Sequence, residues 1–190
     1  MLAKKTDLSE LWNEACTGCH KAYEKVHRQL YPSLFCYMRG LVGDEQVAND
    51  LLQDMFVRLW MKKSEIGGIA NVKAYFFTAA RSIAFNFLKR EKSIGKRLDE
   101  LAFIDVQISA EELITQKETS QKLKRTLNSA LDKLPVRQRE ILYLKYYENM
   151  DYDQIVSVTG IKYQSVVNHI YRAVQTLRED FRYESDLRVA

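Results

Sequence analysis

The first side chains in this sequence with evident chemical potential are Cys16, Cys19 and His20, in the order C-x-x-C-H. That order is the attachment pattern of a c-type haem, in which two thiols bond the vinyl groups and the imidazole ligates iron. It would make the chain an electron-transfer protein. Attachment of this kind follows export, however, and the opening Met-Leu-Ala-Lys-Lys-Thr-Asp-Leu carries charge with no apolar stretch behind it. No secretory signal is expected from such a start. The flanking residues Leu8, Leu11, Trp12 and Ala15, then Ala22, Tyr23 and Val26, continue at helical spacing. An amphipathic helix or helix pair therefore explains the motif better than haem. A zinc site would have three ligands here and no evident fourth. The expectation is no metal or other cofactor, with Cys16, Cys19 and Cys36 reduced in the cytoplasm.

Other constellations suit recognition rather than catalysis. Between about 45 and 63, Val47, Leu51, Leu52, Met55 and Leu59 form an apolar face. Asn49, Asp50, Gln53, Asp54 and Arg58 leave a polar side, with Phe56 and Trp60 at the border. Aromatic rings beside carboxylates can anchor in a partner's pocket; a solvated face with two rings tucked into the core has the same composition. Between about 72 and 92, Phe76, Ala80, Ile83, Ala84, Phe87 and Leu88 make the buried stripe. Lys73, Arg81, Lys89, Arg90 and Lys92 lie mostly outside it. Cations around rings suit single-stranded nucleic acid, and cations at a helix end also complement its dipole. Near the C-terminus stand Lys162, Tyr163, Gln164, Ser165, Asn168, His169 and Arg172. The amides of Gln164 and Asn168 match adenine edges, whereas Lys162 and Arg172 suit phosphates.

The elements that must position these groups are helical. Only 7 Gly and 2 Pro occur in 190 residues, too few for a turn-rich β-sandwich, and apolar residues recur at helical spacing. Hydrophobic residues at 46% and charged ones at 28% are ordinary for a soluble globular protein. The net charge of +4 is less telling than its distribution. No stretch approaches the ~20 apolar residues of a bilayer span, so no direct membrane insertion is expected. A helix over about 20–40 is interrupted or kinked at Pro32, and Gly43-Asp44 supplies a break and an N-cap. Ser64 to Asn71, with Gly67 and Gly68, reads as a loop. From about Leu98 to Glu118 the charge turns acidic and apolar residues scatter, the pattern of a linker.

The C-terminal part is the most specific. A helix near 119–133 ends at Leu134-Pro135, and Pro135 opens the next, which carries Ile141, Leu142, Leu144 and Tyr146. Asp151 caps a short helix with Ile155, Val156 and Val158; Gly160 makes a tight turn above Ile161. The last helix turns Val166, Ile170, Ala173, Val174 and Leu177 inward. Two short helices joined through a glycine at these offsets form a helix-turn-helix, whose second helix enters the major groove. The expected fold is all-α: two small helical domains joined by a linker, the C-terminal one containing the helix-turn-helix. The boundaries are 1–95, an acidic linker over 96–120, 121–183, and a tail over 184–190.

Together these segments resemble the extracytoplasmic-function group of sigma-70 family RNA polymerase sigma factors. The match runs over about Ala22 to Lys92 and Leu123 to Asp180. Ala48-Asn49-Asp50-Leu51-Leu52-Gln53-Asp54-Met55-Phe56-Val57-Arg58-Leu59-Trp60 is similar to the family's core-polymerase-binding helix. Ala74-Tyr75-Phe76-Phe77-Thr78-Ala79-Ala80-Arg81-Ser82-Ile83-Ala84-Phe85-Asn86-Phe87-Leu88-Lys89-Arg90 is similar to its −10-element helix. Leu134-Pro135-Val136-Arg137-Gln138-Arg139-Glu140 opens the region that ends in the −35-reading helix. The order and separation of the motifs are more specific than any one of them. Ser82 stands where the family usually has Asn, Val167 and His169 where it often has Lys and Arg, and Val156 where it has a small Ala.

The resemblance implies a division of labour. Asp50, Gln53, Asp54, Phe56 and Trp60 would engage core RNA polymerase. Lys73, Tyr75, Arg81, Ser82, Asn86, Lys89 and Arg90, with the loop from Ser64 to Asn71, would hold the melted −10 strand. Lys162, Tyr163, Gln164, Ser165, Asn168, His169 and Arg172 would meet duplex −35 DNA. The polymerase supplies the chemistry, so no catalytic residue is expected. The partners implied are core polymerase, promoter DNA and an anti-sigma factor. The rival within DNA binding is a stand-alone helix-turn-helix regulator. Such regulators carry a receiver or ligand domain, whereas the first domain here has neither an α/β pattern nor a phosphate-accepting aspartate after a strand.

Overall fold

The computed structural model describes residues 7–93 and 129–186. The acidic segment over 96–120, most of the helix expected near 119–133 and the end of the C-terminal tail lie outside the described residues. Every regular element among the described residues is helical, and they fall into two compact units.

The first unit contains α1 (Leu8–Cys16), α2 (His20–Val42), α3 (Glu45–Ile66) and α4 (Val72–Ser93). The apolar run across the C-x-x-C-H motif is a helix pair, not one helix. Asp7 opens α1 by accepting the amide of Ser9 at 3.1 Å, and Gly18 turns the chain with φ of 101°. Leu11, Trp12 and Ala15 of α1 are buried, as are Val26, Leu30, Leu34, Tyr37 and Met38 of α2. Pro32 does not interrupt α2, which runs on through it to Val42. The ring removes one backbone bond to the carbonyl of Arg28, but Pro32 is exposed, so water can reach that oxygen. Packing of the Leu30, Leu34 and Tyr37 stripe keeps the helix in one piece. Gly43 closes α2 in the left-handed region, and the Asp44 carboxylate accepts the Val47 amide at 2.9 Å to start α3. α3 extends to Ile66, so the loop before α4 is shorter than the sequence suggests. Asn71 caps α4 by accepting the amide of Ala74 at 2.8 Å.

The second unit contains α5 (Val136–Leu142), a π-helical turn (Tyr143–Tyr147), α6 (Tyr152–Thr159) and α7 (Tyr163–Asp186). Pro135 immediately precedes α5, where its missing N–H costs nothing. The sequence reads as one α-helix through Tyr146; the chain instead widens into the π-turn after Leu142. Glu140, Ile141, Leu142, Tyr143 and Leu144 are all buried, more than one face of a helix, so the chain is enclosed on all sides where it passes from α5 into the π-turn. The five-residue step brings Tyr143 over Glu148: the Glu148 amide donates to the Tyr143 carbonyl at 3.1 Å. The Tyr143 hydroxyl in turn donates to Glu148 Oε1 at 3.0 Å.

Asp151 and Gln154 form a reciprocal capping box at the start of α6, a device worth about 1 kcal/mol. Gly160 ends α6 with φ of 71°. Val166, Ile170 and Ala173 of α7 are buried, while Val174 and Leu177 are half-buried. This is the helix-turn-helix geometry expected.

Candidate nucleic-acid and partner interfaces

On α3, residues Asp50, Gln53 and Asp54 are exposed and share one side. Gln53 donates to Asn49 Oδ1 at 3.5 Å, and the same oxygen accepts the Tyr31 hydroxyl. Asp54 meets Arg58 at 3.4 Å, both about 70% exposed. So exposed a pair is worth ~0.5 kcal/mol or less, so exchanging it for an intermolecular contact costs little. Val57 at 56% and Met61 at 74% exposed complete this side with two apolar side chains. Sequence reasoning missed both. Their signal was their absence from the Ala48, Leu52, Met55, Phe56 and Leu59 stripe that the structure buries.

Phe56 lies under this face rather than on it, only 4% exposed. Its ring packs 4.5 Å from His27, 5.6 Å from Phe76 and 6.2 Å from Tyr31, centroid to centroid. The Tyr23 hydroxyl donates to the Phe56 carbonyl at 2.5 Å. Truncating such a ring costs about 3–5 kcal/mol, so Phe56 acts in this fold through packing. Trp60 is half-buried between Tyr23 at 5.0 Å and His20 at 4.4 Å, with the Lys63 ammonium 3.7 Å from its ring centre. His20 of the C-x-x-C-H motif is thus engaged with an aromatic ring. Among the described residues no group of three His, Cys, Asp or Glu side chains is placed to hold a metal. Burial pushes the Tyr23 hydroxyl well above its usual range and the His27 imidazole below its own.

On α4, Tyr75, Ser82, Asn86 and Lys89 recur at steps of seven, four and three residues and so share one side. Ser82, Asn86, Lys89 and Arg90 are exposed there, and Tyr75 is half-buried against Phe76. Lys73 lies elsewhere on the helix, its ammonium 5.8 Å from the Phe77 centroid, and Arg81 covers Phe85 at 4.3 Å. The loop of Gly67, Gly68, Ile69, Ala70 and Asn71 leads directly into this face.

On α7, Gln164, Asn168 and Arg172 are exposed along one side, and Gln164 donates to Asn168 Oδ1 at 3.3 Å. The two amides are therefore held together, opposite the buried Val166, Ile170 and Ala173. Lys162 and Tyr163 are exposed at the helix start, Tyr163 lying 5.5 Å from Tyr152. Ser165 and His169 are turned partly inward. The His169 Nδ1 atom is buried, and burial, followed by the charges of Arg137 and Arg172, lowers the imidazole pKa. His169 is thus a neutral ring near pH 7, unlike a phosphate-binding cation. Tyr171, 64% exposed beside Asn168 and Arg172, is a surface aromatic the sequence reading left out.

Comparison with known proteins is consistent across both units. Residues 26–94 match the family model described as Sigma-70 region 2, and residues 115–177 match that described as Sigma-70, region 4. The ECF RNA polymerase sigma factor SigX of Bacillus subtilis is 24% identical over 163 residues, covering 83% of this chain and 80% of the relative. The ECF RNA polymerase sigma factor SigL of Mycobacterium tuberculosis is 29% identical over 168 residues, covering 85% and 92%. The fold is similar to that of CnrH, solved in complex with the cytosolic domain of CnrY, with a TM-score of 0.62 at 17% identity. That alignment covers 93% of this chain and 99% of CnrH. It is also similar to sigma factor RpoE of Bartonella quintana, solved with the anti-sigma factor NepR, with a TM-score of 0.60 at 19% identity over 85% and 98% of the two chains.

Proposed function

The chain belongs to the extracytoplasmic-function group of the sigma-70 family, and we propose how its exposed faces divide that family's work. It is an RNA polymerase sigma factor, which binds core polymerase and directs promoter recognition without being an enzyme itself.

Core polymerase docks on the α3 side formed by Asp50, Gln53, Asp54, Val57 and Met61, with Trp60 at its edge. Two exposed apolar side chains among carboxylates and an amide supply both desolvation and orientation. Phe56 supports that face from below. The melted −10 strand lies along the loop of residues 67–71 and the Tyr75, Ser82, Asn86 and Lys89 side of α4, with Arg90 flanking. Lys73 and Arg81 contribute field rather than a shared contact surface. An unstacked base needs a ring or pocket to hold it, which a loop beside Tyr75 offers. Duplex −35 DNA meets the start of α7: Gln164 and Asn168 face base edges, and Lys162, Tyr163, Ser165 and Arg172 face the backbone. His169 contributes through packing. Each contact is weak alone and gains from tethering through the polymerase.

The observation that carries this reading is the paired, exposed amides of Gln164 and Asn168 on a helix whose opposite side is buried behind a Gly160 turn. An anti-sigma factor competing for the α3 face is the third partner. The similar fold of RpoE was solved with such a protein, and an apolar-acidic face is open to any binder of matching shape. No described helix is long and apolar enough to cross a membrane, and the proposed site of action is with polymerase in the cytoplasm.

The test is a variant panel with full-length protein. Asp50→Ala combined with Met61→Ala weakens core-polymerase binding at least tenfold while promoter preference is kept. Gln164→Ala and Asn168→Ala each change −35 preference, by about 1–3 kcal/mol per base-specific pair, with core binding intact. Unchanged −35 preference in both amide variants removes them as readers, and unchanged core affinity in the double variant removes the α3 face.

A further inference from the structure

Helix α1 has no part in the faces above, yet its last turn reaches the loop that leads into α4. The Trp12 indole N–H donates to the Gly67 carbonyl at 3.1 Å, and the Cys16 thiol approaches the same oxygen at 3.8 Å. Trp12 is completely buried, edge-on to Phe76 of α4 at 5.4 Å and tilted against Tyr23 of α2 at 6.3 Å. Such a ring has no room to rotate, so its N–H marks a fixed point. Gly67 caps α3 with φ of 65° and ψ of −154°, a region glycine enters freely, and Gly68 follows it. Two consecutive glycines would leave the loop with many orientations unless something external selected one.

We propose that Trp12 and Cys16 are positioning residues for −10 recognition: α1 fixes the Gly67 peptide and so sets the shape that residues 68–71 present to the melted strand. This rests on the assignment of that loop to the −10 strand. Cys16 is suited to the task because burial raises its pKa against the opposing pull of Lys63, keeping the thiol protonated as a donor. One member of the C-x-x-C-H motif thereby gains a role that needs neither metal nor haem, and that does not involve Cys19 or His20.

The experiment is transcription in vitro by core polymerase with the full chain, on a promoter library randomised across the −10 element. It compares Trp12→Phe, which keeps a packed ring but loses the N–H, with Cys16→Val and Ala70→Glu. Ala70 is exposed in the loop, so its carboxylate variant reports directly on strand contact. Core affinity and −35 preference are measured in parallel. The expected result is that Ala70→Glu abolishes −10 discrimination. Trp12→Phe should keep core affinity and −35 preference but lose about fivefold in −10 discrimination, the scale of one neutral hydrogen bond. Cys16→Val, lacking a weaker donor, loses about twofold. If Ala70→Glu changes the −10 profile and Trp12→Phe does not, the positioning role is overturned. If Trp12→Phe cannot bind core because it does not fold, an unchanged profile in Cys16→Val overturns it, and a twofold loss supports it. An unchanged profile in Ala70→Glu refutes the loop assignment itself, and the positioning role falls with it.

Discussion

Replacing Gly160 by alanine isolates the backbone contribution of the helix-turn-helix corner. Gly160 has φ of 71°, and a Cβ built there meets nothing within 4 Å. There is thus no steric term with a neighbour, only the conformational one. An L-residue in the left-handed region costs about 1–2 kcal/mol. Alanine also restricts the unfolded chain, which returns about 0.5 kcal/mol. The net expectation is a loss of about 1 kcal/mol, or ~4–8 °C in the melting of a unit of this size. Gly160→Asn should lose less, since asparagine tolerates this region, and Gly160→Val more. Both tryptophans, Trp12 and Trp60, lie in the first unit, so tryptophan fluorescence is the wrong probe. Far-UV circular dichroism with denaturant titration reads the transition. A loss above ~3 kcal/mol for alanine would mean a collision the geometry does not contain. No loss, or asparagine faring worse than alanine, would refute a left-handed corner at Gly160.

Further outcomes follow from the same physics. Tyr143→Phe removes the hydroxyl donated to the buried carboxylate of Glu148 and should cost about 1.5–3 kcal/mol, the range of a hydrogen bond to a charged group, checked by denaturant titration. His27 is held below its usual 6.5 by burial, so the unfolded chain binds its proton more readily than the folded one. Stability contributed by the neutral ring is therefore full above about pH 6.5 and declines as pH falls through and below that value. His27→Phe should flatten that decline in thermal melts between pH 7 and 5. An unchanged slope would assign the dependence to other groups.

The sequence made the helices legible where one local rule acted alone. Asp44, Asp151 and Gly160 occupy positions that caps and left-handed turns demand, and each does so in the structure, whereas Asn71, read only as the end of a loop, also caps α4. Tertiary packing decided the rest. Pro32 is a breaker by local rules, but its solvent side and the buried stripe of α2 let the helix continue. The π-turn after Leu142 has no place in a template built on steps of three and four, and the residues around it, Glu140 to Leu144, are buried on every side. Phe56 was legible as an aromatic at a border; which side of the border it took depended on Tyr23, His27 and Tyr31, three turns of another helix. Val57 and Met61 are exposed, and their only mark in the sequence is that they fall outside the apolar stripe of α3; Tyr171 is exposed too. The contact of Trp12 with Gly67 joins residues 55 apart and carries no local signal at all.

In the proposed function this chain gives polymerase its promoter choice through separate −10 and −35 faces. Transcription in vitro on genomic fragments, by core polymerase with and without the chain, tests it most directly. The expected result is transcripts that start at defined sites only when the chain is present, with two shared upstream elements among those sites. Duplex DNA binding by the chain alone, with no chain-dependent transcripts from core polymerase, would contradict it.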